Sequence, residues 1–179
     1  LVVNQEKMAK SQGTGLSLSE VILKSLPAGR QGFEPLALRY FYLTAHYRTR
    51  QNFTWEALSN AANSLNELRM QISNLKSQIS KRNMISPEKL EKVEAFQKRF
   101  DDALSNDMNT PQMLAVVWET LKSNIPSQDK YDMLLDFDEV LGLKFTDVST
   151  EPSNEVIPED IRELGARIDI LRQEKKYKE

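Results

Sequence analysis

Lys7-Met8-Ala9-Lys10-Ser11 sets two ammonium groups three residues apart, with a hydroxyl next to the second and a Gly-containing stretch just beyond. Two lysines this close on a Gly/Ser-rich turn can clamp the phosphates of a nucleotide and stabilise their negative charge. Taken alone the string is common, and a solvated surface loop is much the plainer account of it. Two more groups follow it in the chain. Arg39 lies in the mostly apolar run Leu38-Arg39-Tyr40-Phe41, where a guanidinium needs a carboxylate, a phosphate or a backbone acceptor, so an internal ion pair and an RNA contact are both open. His46, the chain's only histidine, sits with Tyr47, Arg48 and Arg50 in a short basic and aromatic group. That group suits pairing or stacking with an RNA backbone, and a satisfied histidine at a helix end is the plainer alternative. Asp107-Met108-Asn109-Thr110-Pro111 reads as a turn followed by a helix cap. No Gly-rich phosphate loop, H-E-x-x-H string or paired-carboxylate site stands out, and Asp101-Asp102 and Asp136 with Asp138 read as solvated faces.

The elements that hold these residues are helices. Four of the six glycines precede residue 33, and alternating β-branched runs are few, so strands should be scarce, with Leu1 to Val3 as the end of one. Ser17 or Ser19 caps a short helix over Glu20 to Ser25, which Pro27-Ala28-Gly29 stops. Pro35 opens a helix expected to run to about Tyr47. Thr54 and Glu56 open the longest helix, with Leu58, Ala62, Leu65, Leu68, Ile72, Leu75 and Ile79 as its apolar stripe and Asn83 as its stop. Ser86-Pro87-Glu88 restarts a helix with Leu90, Val93, Phe96 or Phe100, and Leu104 inward, and the two are expected to form a long antiparallel hairpin. Thr110 caps the next helix and Ser127 the one after it, which Gly142 ends in a left-handed turn. Residues 146–157 hold too little apolar content to pack, and Ile161, Leu164, Ile168 and Leu171 stripe a final helix.

Length and composition allow one domain with a full core. The absence of Cys excludes disulfides and thiolate metal sites, and a cytoplasmic setting is the default. No apolar run approaches the ~20 residues of a membrane span. Charge is uneven: residues 1–82 carry 11 Lys and Arg against 5 Asp and Glu, whereas residues 83–179 carry 13 against 21. A basic front half suits a polyanion. The chain starts at Leu1 rather than Met and stops at Glu179 inside a helical pattern, so both ends are expected to be cut.

The strings Lys7 to Ser11, Leu38 to Phe41, His46 to Arg48 and Asp107 to Pro111, in that order, resemble the C-terminal part of cysteinyl-tRNA synthetase, a class I aminoacyl-tRNA synthetase. The resemblance implies an all-α, antiparallel helical bundle of the anticodon-binding type, preceded by an irregular loop from the end of a Rossmann-type catalytic domain. It divides the chain into 1–32 (end of the catalytic domain with its phosphate loop), 33–145 (bundle) and 146–179 (linker and start of a C-terminal region). It implies that Lys7 and Lys10 are catalytic, that Lys7, Met8, Lys10 and Ser11 contact ATP with its Mg²⁺, and that Arg39, His46, Tyr47, Arg48 and Arg50 contact tRNA(Cys). Zinc would belong only to a catalytic domain before Leu1. The implied parent is a monomeric enzyme that adenylates cysteine and transfers it to tRNA, while the isolated chain is expected to be inactive. A free-standing helical module that binds tRNA or a protein is the alternative. Three departures from the family pattern stand out: Ala9 replaces a serine, Leu36 replaces an acidic residue, and Ser25 to Gln31 reads as an insertion.

Overall fold

The computed structural model describes residues 2–3, 6–7, 17–23, 32–79 and 85–147. Within them the fold is an all-α bundle with a small sheet at its entry. Strands β1 (Val2–Val3) and β2 (Glu6–Lys7) pair antiparallel, and β1 pairs in parallel with β3 (Asn52–Phe53), giving the order β2-β1-β3. Helix α1 (Leu18–Leu23) begins at a reciprocal capping box. Glu20 Oε2 accepts from the Ser17 amide at 2.6 Å while Ser17 Oγ accepts from the Glu20 amide at 3.3 Å. The expected stop at Pro27 lies outside the described residues.

Helix α2 (Pro35–Leu43) starts at its proline and ends before the expected Tyr47. Thr44 Oγ1 and Gln51 Nε2 both donate to the Phe41 carbonyl, at 2.7 and 2.6 Å, claiming the acceptor that a further turn would use. Helix α3 (Trp55–Ser77) opens on Thr54, whose Oγ1 accepts from the Ala57 amide at 3.0 Å. Its buried row is Leu58, Ala61, Leu65, Leu68, Arg69, Ile72 and Leu75. It ends at Ser77, short of Asn83, where the last turn tightens: the Gln78 amide is shared with the Leu75 carbonyl and the Ile79 amide takes the Lys76 carbonyl, both three residues back. Helices α4 (Pro87–Ser105), α5 (Thr110–Lys122) and α6 (Ser127–Leu141) complete the bundle. Two caps differ from expectation. Asn109, not Thr110, caps α5, its side chain accepting from the Gln112 amide at 3.3 Å, and Ser127 is the first residue of α6 without capping it. Gly142 does end α6 in the left-handed region, with φ at 61°.

The two longest helices are not packing partners: α3 packs on α2 and α6, and α4 on α5 and α6, so the expected hairpin is not formed. Helical periodicity identifies a buried face but carries no information on which helix covers it. On α4 the buried positions are Phe100 and Ala103, while Leu90, expected inside, is 45% exposed. Phe100 stacks on Phe137 of α6 with centroids 4.1 Å apart, a pair that adds to the roughly 1.5–3 kcal/mol per ring from burial.

Polar residues tie the helix ends. Arg69, 3% exposed, forks onto Glu34 at 2.7 and 3.0 Å and donates to the Leu143 and Lys144 carbonyls at 2.7 and 3.0 Å. Asp138 is no solvated face: its two oxygens accept the Leu143 and Phe145 amides, each at 2.7 Å, and turn the chain back after α6. Lys130 is buried with its Nζ on the Leu121 carbonyl at 2.9 Å, where burial pushes its pKa down.

Candidate nucleic-acid interface

The sheet brings the two ends of the candidate site together. Lys7 is the last residue of β2, and β1, beside it, pairs with β3 at Asn52 and Phe53. The strand that opens the phosphate string is thereby hydrogen-bonded, through one intervening strand, to the segment that directly follows Arg50 and Gln51. Met8, Lys10 and Ser11 lie outside the described residues, as does the insertion from Ser25 to Gln31.

Three of the predicted RNA-contact residues converge on one carboxylate. Beyond α2 the chain turns tightly, with the Thr49 amide on the His46 carbonyl at 2.8 Å. This turn points His46, Tyr47 and Arg48 at Asp107, in the loop between α4 and α5. Tyr47 Oη donates to Asp107 Oδ1 at 2.7 Å. Arg48 approaches the same carboxylate with Nη2 at 3.1 Å from Oδ1 and Nε at 2.9 Å from Oδ2, and its Nε also donates to Tyr47 Oη at 2.9 Å. The Arg48 amide donates to His46 Nδ1 at 3.3 Å, which places the ring hydrogen on Nε2, where it meets the Asp107 carbonyl at 3.1 Å. The His46 and Tyr47 rings stack at 4.9 Å, and the Arg48 guanidinium carbon lies 5.4 Å from the Tyr47 centroid. Arg48 nevertheless stays 67% exposed, so the group is preorganised without being buried.

The remaining predicted contacts stand apart from this cluster. Arg50 is exposed and makes no hydrogen bond or ion pair among the described residues. Arg39 is exposed and engaged elsewhere, its Nε donating to the Leu141 carbonyl at 2.6 Å. Its partner is thus a helix-end carbonyl and not a carboxylate, a favourable place for a cation at the negative end of α6. A Cβ on residue 142 would lie 3.0 Å from Arg39 Nη2, so Gly142 serves both its positive φ and this close approach.

Sequence reasoning missed Asp107 as a member of the group. Asp107 and Met108 both take positive φ, 57° and 50°. The turn is closed from α4 by the Met108 amide on the Leu104 carbonyl at 3.1 Å and the Asn109 amide on the Ala103 carbonyl at 2.9 Å. The only signal in the sequence was an acidic residue in a turn string, and its partners stand 59 to 61 residues earlier. The chain has no Cys, and no three His, Asp or Glu converge as metal ligands among the described residues. No helix of the described residues is long and apolar enough to cross a membrane.

No family model matches the chain. Curated relatives do, along nearly all of it. It is 35% identical over 172 residues to cysteine-tRNA ligase 1 of Burkholderia lata, covering 96% of this chain and 32% of that protein. It is 30% identical over 199 residues to cysteine-tRNA ligase of Chlamydia muridarum, covering all of this chain and 39% of the relative. With cysteine-tRNA ligase of Shouchella clausii it shares 28% over 188 residues, 98% of this chain and 38% of the relative. The chain therefore spans about a third to two fifths of the length of the curated relatives it matches, and over that span it belongs to the cysteinyl-tRNA synthetase family.

Proposed function

We propose that this chain supplies the ATP-phosphate loop and the tRNA-docking bundle of a cysteine-tRNA ligase. In that reaction a carboxylate oxygen of cysteine attacks the α-phosphorus of ATP and pyrophosphate leaves. The aminoacyl group then passes to a 3′-terminal hydroxyl of tRNA(Cys) and AMP is released. Lys7 and Lys10 neutralise the β- and γ-phosphates and the charge that grows on the leaving pyrophosphate. Ala9, in place of the family's serine, removes one hydroxyl and leaves both charges in position. Met8 and Ser11 complete the loop against ATP, which enters with its Mg²⁺.

The observation that carries this reading is the match of almost the whole chain to proteins named cysteine-tRNA ligase. The hydrogen-bonded path from β2 to β3 supports it, since it joins Lys7, at the start of the phosphate string, to the segment that follows the basic group. On the RNA side Arg50 offers a charge with no partner among the described residues, Arg48 and Tyr47 a preset donor pair, and His46 a stacked ring behind them. Arg39 contributes through the end of α6, where its guanidinium remains exposed.

The test is cysteine-dependent ATP/pyrophosphate exchange by the full-length native protein that carries this sequence, compared with Lys10→Ala. Loss of one preorganised charge should cost about 2 to 4 kcal/mol of transition-state stabilisation, read mainly in kcat. Unchanged exchange in Lys10→Ala would remove the phosphate-loop assignment. Residues 1–179 alone should show no exchange.

A further inference from the structure

We infer that Asp107 is a positioning residue for the phosphate string, acting through the His46 to Arg48 turn and the β3-β1-β2 sheet; this rests on the reading proposed above. Asp107 is the point at which three successive residues of that turn are held, by an Oη, a guanidinium and an imidazole. The same turn runs through Gln51, whose side chain is bonded to the Phe41 carbonyl and to Thr44 Oγ1 at 2.6 and 3.2 Å, into β3. β3 holds β1, and β1 holds β2 with Lys7 at its end. Every step in this series is a hydrogen bond or a peptide bond, with the Tyr47 and Arg48 side chains as the links to the Asp107 carboxylate.

The backbone at Asp107 argues the same way. Two consecutive non-glycine residues with φ near +50° occupy a region disfavoured for side chains with a Cβ. Such a conformation persists only where the surroundings over-determine it, and it collects at functional positions. An ordinary reversal between α4 and α5 could place Gly or Asn at both sites. Here an aspartate occupies one, with both carboxylate oxygens and its carbonyl committed to the 46–48 turn. Met108, 57% exposed, occupies the other, with no large apolar cover to justify it. The Asp107 to Arg48 pair is itself exposed, so it contributes little to global stability. Its contribution is local: it fixes where the turn, and therefore β3, sits relative to α5.

The experiment is ATP/pyrophosphate exchange by the full-length native protein with tRNA omitted, so that any RNA contact by the cluster cannot affect the reading. Asp107→Ala removes the carboxylate, and Asp107→Asn keeps an acceptor for Tyr47 and tolerates positive φ while removing the charge. The expected result is a kcat lowered by roughly fivefold in Asp107→Ala, within the range of energetic coupling between linked sites. The KM for cysteine should be unchanged, and Asp107→Asn should recover part of the loss. Melting curves of both variants, taken in parallel, should coincide with wild type to within a few degrees. If Asp107→Ala exchanges at the wild-type kcat, or if its loss of kcat equals its loss of folded protein, the inference is overturned. Should Asp107→Ala not fold, Asp107→Asn alone decides by the same criteria. A wild-type protein without exchange activity would instead refute the proposed function, so the two failures are distinct.

Discussion

Two arginines, Arg69 and Arg48, each gather a carboxylate and other polar groups from distant parts of the chain, and they differ chiefly in their access to water. Arg69 is almost fully covered, and all three of its guanidinium nitrogens donate, to Glu34 and to two carbonyls beyond α6. Arg48 is mostly exposed, shares Asp107 with Tyr47 and His46, and keeps a face open to solvent. A buried guanidinium must have every donor matched, because an unmatched one retains its full desolvation penalty. An exposed one can exchange partners with water or a phosphate at little cost. The first arrangement fixes the bundle, and the second is suited to recognition.

The comparison breaks most visibly at Arg69. Arg69→Met should lower unfolding free energy by about 3 kcal/mol, at the lower end for a broken buried pair because Glu34 is partly exposed and can rehydrate. Urea titration would measure it, and a loss below about 1 kcal/mol would place Arg69 with the surface arginines. Arg48→Ala and Arg50→Ala should each change stability by less than about 1 kcal/mol. Each should reduce the salt dependence of tRNA(Cys) binding by about one phosphate contact, with filter binding at several ionic strengths as the readout. Arg50→Ala should show the cleaner effect, since Arg50 gives up no hydrogen bond or ion pair among the described residues. The smallest effect belongs to Arg99 and Glu119, a second exposed pair at 2.6 Å. The hydrogen bond from Arg99 holds the Glu119 carboxyl below its ordinary range. The folded state therefore binds that proton more weakly than the unfolded chain does. The pair's contribution is complete above the ordinary glutamate range and is lost as pH falls through the lowered value. Screening by solvent keeps it under about 1 kcal/mol. Arg99→Ala should lower the melting temperature slightly at neutral pH, and its difference from wild type should vanish as pH falls through the lowered carboxyl value.

Helix starts and the residues that face inward were legible because their causes are local. Thr54, Pro35, Pro87 and Gly142 each act within one turn of the backbone, and the α3 stripe follows from a period of 3.6. Partners were not legible. Glu34 and Arg69 stand 35 residues apart, and Arg39 and Leu141 stand 102 apart. A backbone carbonyl as acceptor leaves no mark on the sequence at all, so residue types left Arg39 open between an internal ion pair and an RNA contact, with nothing to point to Leu141. Asp138 was read as a solvated face for a related reason: its amide partners exist only once the chain reverses after Gly142. For the candidate site, residue types alone picked out His46, Tyr47 and Arg48. The residue that organises them, Asp107, looked like half of a turn.

The parallel pairing of Val2–Val3 with Asn52–Phe53 also bears on the order in which this protein takes shape during synthesis. About 50 residues separate the partners, and closing a loop of that length carries an entropic penalty that only later contacts offset. At ~5–20 residues per second the ribosome needs several seconds to deliver the second strand after the first. During that interval β1 and β2 have been made without the neighbour that anchors them to the bundle. Lys7 is therefore synthesised well before the strand that seats it, and β2 finds its place only after the whole of α2 and the turn behind it have been made.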